Sequence, residues 1–463
     1  MSVARLVLQR IRMQTLTQLK RLGLFDARVP RYTSYPTAPH FKAGFEADTL
    51  TNWIRAIPAG DKISLYVHIP FCRRLCWFCA CRTQGTSTAE PVAAYVDTLK
   101  AELATIKSLL APGIEIEHLH WGGGTPTLLQ PEMIADLTMA ILNTMPLADG
   151  AQFSVEIDPS EVDDTRLDAL AAAGMNRASI GVQDFDPMIQ EVIGRPQSYE
   201  ITKDAVDGIR ARGIDSLNMD ILYGLPHQNT ARITDSVEKL ISLGPDRVAL
   251  FGYAHVPWMA RRQTLIPTEA LPSAEERLEL FNTARDLFVA NGYDEIGIDH
   301  FALPSDGLAQ AHKAGTMKRN FQGYTEDASQ VLMGIGASSI ARYPQGYAQN
   351  QPATAKYQAA ARDGILAAAK GHSFTGEDIA RGRIIEELLC YFRADLAALA
   401  KEQSLPVETL LEWVSGLETA MPGTTDLIDN VLTIRDASRP LARIIARHFD
   451  AYDMNESGHS QAV

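Results

Sequence analysis

The sequence predicts an α/β fold: a partial (β/α)6-type parallel barrel with an extended N-terminal arm and a smaller, mostly helical C-terminal domain. Short apolar runs alternate with helical patterns from about residue 63 onward, which is typical of right-handed βαβ units. Glycines and polar residues collect just after these runs, where ligands bind in parallel α/β folds. The alternation ends near residue 351. An open doubly wound sheet is the alternative arrangement of the same units.

The predicted elements follow from the spacing of the apolar residues. Continuous apolar runs predict strands at 63–69, 116–121, 153–157, 178–182, 217–222, 248–253 and 295–298. Helical spacing predicts helices at 92–110, 131–144, 165–173 and 236–242, and near the C-terminus at 353–370, 376–392, 395–403 and 438–452, with a short apolar run at 430–434. These elements predict an N-terminal helix and arm (1–50), a barrel (51–350) and a C-terminal domain (351–463).

The composition is that of an ordinary globular protein, with 46% hydrophobic and 21% charged residues among 463. The 43 basic and 56 acidic side chains give a net charge of −13, which argues against a general nucleic-acid binder. No apolar run reaches the length of a membrane span. Residues 1–24 are basic and amphipathic but interrupted by glutamines, so we expect a helix there and no secretory signal. We therefore expect a cytoplasmic protein, and nothing in the sequence requires more than a monomer.

Four of the five cysteines lie in one short stretch. Cys72, Cys76 and Cys79 have Cys-x3-Cys-x2-Cys spacing, and Cys81 follows. Grouped thiolates are the usual ligands of iron–sulfur clusters, and three of them leave one iron of a cubic cluster open. A disulfide framework would spread cysteines along the chain, a structural zinc site would pair two separated knuckles, and buried free cysteines would group in this way only by chance. The spacing favours the cluster over these three alternatives.

Polar and glycine residues at the predicted strand ends are candidate ligand contacts. The glycines at 122–124 allow close approach of the backbone to a ligand, although a plain tight turn explains them equally well. Glu156 and Asp220 suit an ammonium group or ribose hydroxyls, and Arg195 suits a carboxylate. Taken singly, each of these three side chains is explained more simply as a solvated surface residue.

Residues 29–41 are predicted to form an extended arm, because three prolines prevent a continuous helix there. Tyr32, Tyr35 and Arg31 of this arm have side chains that can clasp a ligand. On this chemistry alone, a linker on the surface is slightly favoured over a lid.

Several strings of residues resemble one family. The string Tyr66-Val-His-Ile-Pro-Phe-Cys72, with the three-cysteine spacing, resembles the radical S-adenosylmethionine (SAM) superfamily and its barrel. The resemblance narrows to the oxygen-independent coproporphyrinogen III oxidases, on strings that span roughly residues 30–350: Pro30-Arg-Tyr-Thr-Ser-Tyr-Pro-Thr37, Cys79-Ala80-Cys81, Gly122-Gly-Gly-Thr-Pro-Thr127, Gly181-Val-Gln-Asp-Phe185, Tyr223-Gly-Leu-Pro226 and Arg319-Asn-Phe-Gln-Gly-Tyr324.

This resemblance implies a 4Fe–4S cluster on Cys72, Cys76 and Cys79, with SAM on the fourth iron. It implies that a 5′-deoxyadenosyl radical takes a β-hydrogen from each of two propionates of coproporphyrinogen III. Each propionate then loses carbon dioxide and one electron, which gives the vinyl groups of protoporphyrinogen IX in haem biosynthesis. An unidentified reducing partner would supply electrons to the cluster.

The family pattern also implies roles for further positions. A first SAM molecule would lie near Tyr66, Gly123, Glu156 and Ile340, and a second near Phe78, Gly124, Thr125, Gln183, Arg195, Asp220 and Ala254. Gln322, Tyr32 and Tyr35 would face the substrate as catalytic residues, which changes the interpretation of the arm from linker to lid. Cys81 belongs to the pattern, but its role stays open.

Two relatives on the same fold are the alternatives. One is a cluster-bearing haem chaperone without decarboxylase activity, and the other is a radical enzyme that degrades haem or transfers methyl groups. Such relatives typically lack the arm pattern from Arg31 to Pro36, and the chaperones usually have phenylalanine where this chain has Cys81. Both features favour the oxidase.

Overall fold

The computed structural model describes residues 16–452, and a sheet of thirteen strands dominates it. In chain order the strands are β1 (Lys42–Ala43), β2 (Lys62–Ile69), β3 (Phe71–Cys72), β4 (Gln84–Gly85), β5 (Glu115–Gly123), β6 (Leu147–Ile157), β7 (Arg177–Gln183), β8 (Ser216–Tyr223), β9 (Arg247–Gly252), β10 (Asp294–Ile296), β11 (His300–Ala302), β12 (Lys318–Asn320), β13 (Gly323–Thr325), β14 (Leu332–Ile335), β15 (Ile340–Tyr343), β16 (Gly346–Asn350), β17 (Ala368–Ser373), β18 (Arg393–Asp395), β19 (Thr425–Ile428) and β20 (Val431–Ile434).

Residues 16–21 are helical, and fifteen further α-helices follow in the described range. They are α1 (Ala47–Arg55), α2 (Glu90–Lys107), α3 (Pro131–Thr144), α4 (Asp164–Ala172), α5 (Pro187–Val192), α6 (Tyr199–Arg210), α7 (Thr230–Ser242), α8 (Ala274–Ala290), α9 (Gly307–Ala314), α10 (Thr354–Arg362), α11 (Asp378–Tyr391), α12 (Leu396–Glu402), α13 (Val407–Val414), α14 (Leu417–Ala420) and α15 (Ala442–Arg447). Between residues 16 and 452, every helix is too short or too polar to serve as a membrane span.

The large sheet has the order β1-β17-β16-β15-β14-β2-β5-β6-β7-β8-β9-β11-β10. The seven neighbours from β14 to β9 run parallel, and antiparallel strands extend the sheet on both sides. The sheet stays open, because no ladder within the described residues joins its two end strands. The parallel strands alternate between an apolar face, which packs against the helices between consecutive strands, and a face that carries polar residues. In β2, Ile63, Leu65 and Val67 lie on the apolar face and are fully buried, whereas Ser64, Tyr66 and His68 lie on the other face.

The register of the parallel strands brings their carboxyl ends together on one edge. Ile69 of β2 lies opposite Gly123 of β5, and Gly181 of β7 lies opposite Asp220 of β8. The loops that leave these strands therefore begin side by side. This is where parallel α/β folds bind ligands.

The arm and the C-terminal residues share a second hydrophobic core. Leu388 and Leu389 of α11 and Ile445 of α15 are fully buried in it, and Tyr32 and Tyr35 of the arm belong to the same cluster. The three-stranded sheet β18-β20-β19 also belongs to this C-terminal part. The arm is therefore part of the folded body rather than a linker across its surface.

Six of the seven predicted strands, β2 and β5 to β9, are parallel and alternate with helices, which confirms the predicted alternation. Three predicted elements need correction. The run at 295–298 forms β10, which is antiparallel to β11. The helix predicted at 353–370 ends at Arg362, because Gly364 (φ +70°) turns the chain toward β17. The helix predicted at 438–452 is a 3-10 turn (Asp436–Leu441) followed by the short α15, because Pro440 lacks an N–H for a regular helix.

Residues 1–15 of the predicted N-terminal helix, and residues beyond 452, lie outside the described range. The two boundaries between the three predicted domains stay a prediction. The large sheet takes β1 from the first predicted segment and β17 from the last, so it extends beyond residues 51–350 on both sides.

Candidate active site

The cysteine loop begins directly after β2, at the carboxyl edge of the sheet. Cys72 lies in β3, Cys76 is 8% exposed, Cys79 is half-buried and Cys81 is exposed; none forms a disulfide. The backbone N–H of Cys81 donates to Cys79 Sγ at 3.4 Å. Hydrogen bonding from Cys81 lowers the pKa of the Cys79 thiol, although burial acts in the opposite direction. The thiolate, which is the form that binds metal, is therefore favoured at Cys79.

The glycine-rich loop after β5 packs directly against the start of the cysteine loop. The N–H of Gly124 donates to Ile69 O and the N–H of Thr125 donates to Phe71 O, both at 2.8 Å. A Cβ atom on Gly124 would lie 2.5 Å from Phe71 O, which no side chain tolerates. Glycine at 124 is therefore required by contact with the cysteine loop, beyond what a plain turn needs.

Glu156, at the end of β6, is fixed by two neighbours. Its Oε2 accepts from the N–H of Gly123 at 2.9 Å, and its Oε1 lies 3.3 Å from His120 Nε2. Its enclosed position raises the pKa of Glu156, but the bond and charge of His120 outweigh that effect and hold the pKa below its ordinary value. The side chain is 43% exposed, so an ionised carboxylate is presented to the space above the strands.

Tyr66 and Ile340, the other two residues predicted for the first SAM molecule, are connected to this part of the sheet through His120 and Gly334. The Tyr66 ring stacks on His120 with centroids 5.7 Å apart, and its hydroxyl lies 2.9 Å from His68 Nδ1. Gly334 of β14 lies opposite Tyr66, and Ile340 O is 2.8 Å from the position of a Cβ on Gly334. Tyr66 and Glu156 therefore share His120 as a neighbour, and Gly123 binds Glu156. Ile340 lies one strand further along the sheet, beside Gly334. The contacts of Tyr66, Gly123, Glu156 and Ile340 with SAM stay a prediction.

Arg195 connects the cysteine loop to the residues predicted for a second SAM molecule. Its Nη1 lies 3.5 Å from Cys76 Sγ and 3.3 Å from Asp158 Oδ2, and its Nη2 donates to Gly181 O at 3.0 Å. The Gln183 amide reaches the same place, because Gln183 has a left-handed backbone (φ 69°) that turns its side chain toward Gly181. Asp158, which stands next to a strand end in the sequence, is a partner that the sequence analysis missed.

Phe78 and Ala254 are joined by a residue that the sequence analysis also missed. The Gln263 amide donates to Phe78 O at 2.7 Å and to Ala254 O at 3.1 Å, and its Oε1 accepts from the N–H of Val256. Gln263 is 1% exposed. It lies far along the chain from Phe78 in a segment without a recognisable motif, so nothing in the sequence singles it out.

The three predicted catalytic residues lie elsewhere in the fold. Tyr32 and Tyr35 are 4% and 6% exposed. The Tyr32 hydroxyl donates to Asp450 Oδ2 at 3.0 Å, and the Tyr35 hydroxyl accepts from the N–H of Ala451 at 2.9 Å. Gln322 is exposed in the turn between β12 and β13. Both tyrosine hydroxyls thus anchor the arm to the C-terminal segment, and a direct role in catalysis stays a prediction for all three residues.

The residues around the loop fit an iron–sulfur cluster and SAM. Three thiols stand on one loop, with a guanidinium against the most buried of them. Glycine at 124 keeps the neighbouring loop within contact of this loop, and the Glu156 carboxylate is available beside it for a cationic or hydroxyl group. Cys72, Cys76 and Cys79 would hold the cluster.

Asp220 gives the site a pH dependence that can be measured without cofactors. Burial raises the pKa of Asp220 to about 7, against about 3.9 in an unfolded chain. Between about pH 4 and pH 7, Asp220 therefore keeps its proton in the folded state and loses it in the unfolded state. We expect the unfolding free energy of the metal-free protein to fall as pH rises through that window, by about 1.4 kcal/mol per pKa unit.

Asp220→Asn removes this ionisation, so urea unfolding should show the variant to be more stable than the wild type at pH 8 and similar to it near pH 4. The exposed Asp215→Asn is the matched control and should follow the wild type. If Asp220→Asn has the wild-type profile from pH 4 to pH 8, the raised pKa is wrong.

Known proteins match the chain along its length. The model of the Radical SAM superfamily matches residues 66–240. Two proteins called oxygen-independent coproporphyrinogen III oxidase, from Paracoccus denitrificans and Cereibacter sphaeroides, are 60% and 54% identical over 97% and 95% of this chain and 100% and 98% of their own lengths.

The structure is also similar to the solved coproporphyrinogen III oxidase of Escherichia coli, which is described as a radical SAM enzyme. The TM-score is 0.86 at 34% identity, over 92% of this chain and all of that one. This likeness confirms the predicted fold class. The chain belongs to the oxygen-independent coproporphyrinogen III oxidases of the radical SAM superfamily.

Proposed function

We propose that this chain converts coproporphyrinogen III to protoporphyrinogen IX in haem biosynthesis, by oxidative decarboxylation of two propionates without oxygen. The observation that carries the proposal is the match to a protein called oxygen-independent coproporphyrinogen III oxidase, at 60% identity over that protein's whole length. The cysteine loop beside the strand-end carboxylates supports the same chemistry. A haem chaperone and a haem-degrading enzyme are the alternatives, and no feature of the site favours either.

When bound to Cys72, Cys76 and Cys79, the cluster supplies, together with SAM, a 5′-deoxyadenosyl radical. Each reacting propionate gives up one β-hydrogen atom, carbon dioxide and one electron, and a vinyl group remains. The electron leaves to an acceptor, and a separate reductant supplies one electron for each SAM cleaved.

The residues of the chain hold and orient the reactants. Glu156, fixed by Gly123 and His120, would bind the ammonium or a hydroxyl of the first SAM molecule. Arg195, held by Asp158 and Gly181, would bind a carboxylate of a second. Two SAM molecules are part of the proposal because these two groups stand at different strand ends. We also propose that the protein is a monomer and that it works in the cytoplasm, where thiolate ligands stay reduced.

Anaerobic turnover tests the proposed function. The protein is reconstituted with iron and sulfide, then mixed with coproporphyrinogen III, SAM and a chemical reductant, and the oxidised products are separated by chromatography. We expect protoporphyrin with two vinyl groups, and no product when SAM is omitted. Tight haem binding without any vinyl product would instead favour the chaperone.

A further inference from the structure

A cavity of about 330 Å³ lies between the arm, the ends of β8 and β9, α8 and the C-terminal segment. This volume is at the lower end of the range of about 300–1,000 Å³ for small-molecule sites. Gly252 and Ala254 form its wall on the side of the sheet. We call it the arginine chamber, because its lining includes Arg28, Arg31, Arg277, Arg319, Arg439 and Arg443.

Backbone carbonyls hold three of these guanidinium groups in place. Arg31 Nη2 donates to Gly252 O at 2.8 Å, Arg319 Nη2 donates to Arg31 O at 3.3 Å, and Arg443 Nε donates to Pro30 O at 3.1 Å. A carbonyl accepts a hydrogen bond without neutralising the charge of the donor. These contacts fix the guanidinium groups in position, and the carbonyls that Arg31 and Arg319 bind leave the charges of these two groups for an anion.

The clearest indication of a missing ligand comes from Arg319. Its Nε and Nη1 are buried and have no hydrogen-bond partner among residues 16–452. Buried donors in a native structure are almost always paired, so two unpaired ones on one guanidinium indicate an absent acceptor. The guanidinium lies 4.5 Å over the ring of Tyr324, which fixes its plane.

Positive charge dominates the chamber. Asp299 is the only carboxylate among the lining residues, against six guanidinium groups, and its Oδ1 already pairs with His300 Nδ1 at 2.7 Å. Of the six guanidinium groups, that of Arg439 also pairs with Asp436 outside the lining, at 2.8 Å. Burial, followed by the nearby charge of Arg31, lowers the pKa of Arg443 to about 10. Cations crowded in this way are stabilised by an anionic ligand.

The remaining wall suits flat apolar rings. Tyr223, Phe281, Trp258 and Ile298 line it, and Arg277 and Arg28 lie over the rings of Tyr223 and Trp258 at 5.6 and 5.3 Å. The chamber thus combines an apolar surface with several fixed cations. A ligand with an apolar framework and several carboxylates complements both features.

We propose that the arginine chamber binds propionate carboxylates of the tetrapyrrole and holds those that do not react. Ala254 lines the chamber, and Gln263 joins Ala254 to Phe78 of the cysteine loop, so a reacting propionate on the far side of the ring system points toward that loop. This inference rests on the proposed function, because the tetrapyrrole is the substrate that the proposed function names.

Fluorescence titration with coproporphyrin III tests the inference, with its tetramethyl ester as the uncharged probe. Arg319→Gln and Arg31→Gln should each weaken binding of the tetracarboxylate about 10- to 100-fold, which is the usual loss for a hydrogen bond to a charged group. Affinity for the ester should be the same in both variants and the wild type. The control Arg285→Gln removes a half-buried arginine of α8 that pairs with Asp286 and does not line the chamber, and it should change neither affinity.

Two further measurements separate this inference from the proposed function. Reductive cleavage of SAM without substrate should be unchanged in Arg319→Gln, and wild-type turnover is assayed in parallel. A wild type that forms no vinyl product overturns the proposed function, whatever the binding data show. A wild type that forms product, with variants that bind coproporphyrin III as tightly as it does, overturns the chamber. Equal losses for acid and ester, or a parallel loss of SAM cleavage, also overturn it.

Discussion

Cys76→Ala should abolish the iron–sulfur cluster and all SAM cleavage, whereas Cys81→Ala should retain both. Cys76 is buried against Arg195, and no other thiol in the described part of the chain stands in its place. Cys81 is exposed, and alanine at this position loses the thiol that bonds to Cys79 but keeps the backbone N–H that donates to Cys79 Sγ. Iron and sulfide content, with the visible absorption of the reconstituted proteins, measure the outcome.

The cysteine pair is its own matched control, because both variants remove one thiol from the same loop. A third variant, Cys390→Ala, removes a thiol that is buried in the helix α11, outside the loop, and it should leave the cluster intact. Equal cluster loss in Cys76→Ala and Cys81→Ala would mean that the ligand set is wrong.

Glu156→Gln should keep the cluster and raise the SAM concentration needed for half-maximal cleavage about 10- to 100-fold. Glutamine retains an oxygen that accepts from the N–H of Gly123 but loses the negative charge. Hydrogen bonds to charged groups contribute about 1.5–3 kcal/mol, which corresponds to that range. The measurement is the rate of 5′-deoxyadenosine formation at increasing SAM concentration.

The control for this variant is Glu132→Gln, which neutralises an exposed carboxylate at the start of α3. It should have wild-type kinetics. If Glu156→Gln also has wild-type kinetics, the carboxylate does not contact the cofactor, and its bonds to Gly123 and His120 serve only the fold.

Local patterns predicted the part of the site that is encoded locally. The cysteine spacing lies within ten residues, and the glycines and carboxylates directly follow apolar strands, so the parallel register necessarily brings them to one edge. The resemblance to a family then assigned roles that spacing alone left open. The helix predicted at 353–370 was wrong because alanine-rich spacing continues beyond Gly364, where the backbone reverses.

Contacts between residues that are far apart along the chain could not be predicted from the sequence. The arginine chamber collects residues from Arg28 to Arg443, and no spacing connects arginines that far apart. The contacts of the arm tyrosines could not be predicted for the same reason. Their motif is recognisable, but the partners of their hydroxyls, Asp450 and Ala451, are more than 400 positions away along the chain.

Transfer of deuterium tests the central claim most directly. Coproporphyrinogen III labelled with deuterium on the β-carbons of its propionates is turned over anaerobically with unlabelled SAM, and the recovered 5′-deoxyadenosine is examined by mass spectrometry. We expect one deuterium in each 5′-deoxyadenosine, and one 5′-deoxyadenosine for each vinyl group formed. Vinyl product together with unlabelled 5′-deoxyadenosine would contradict a radical that acts on the propionate β-carbon.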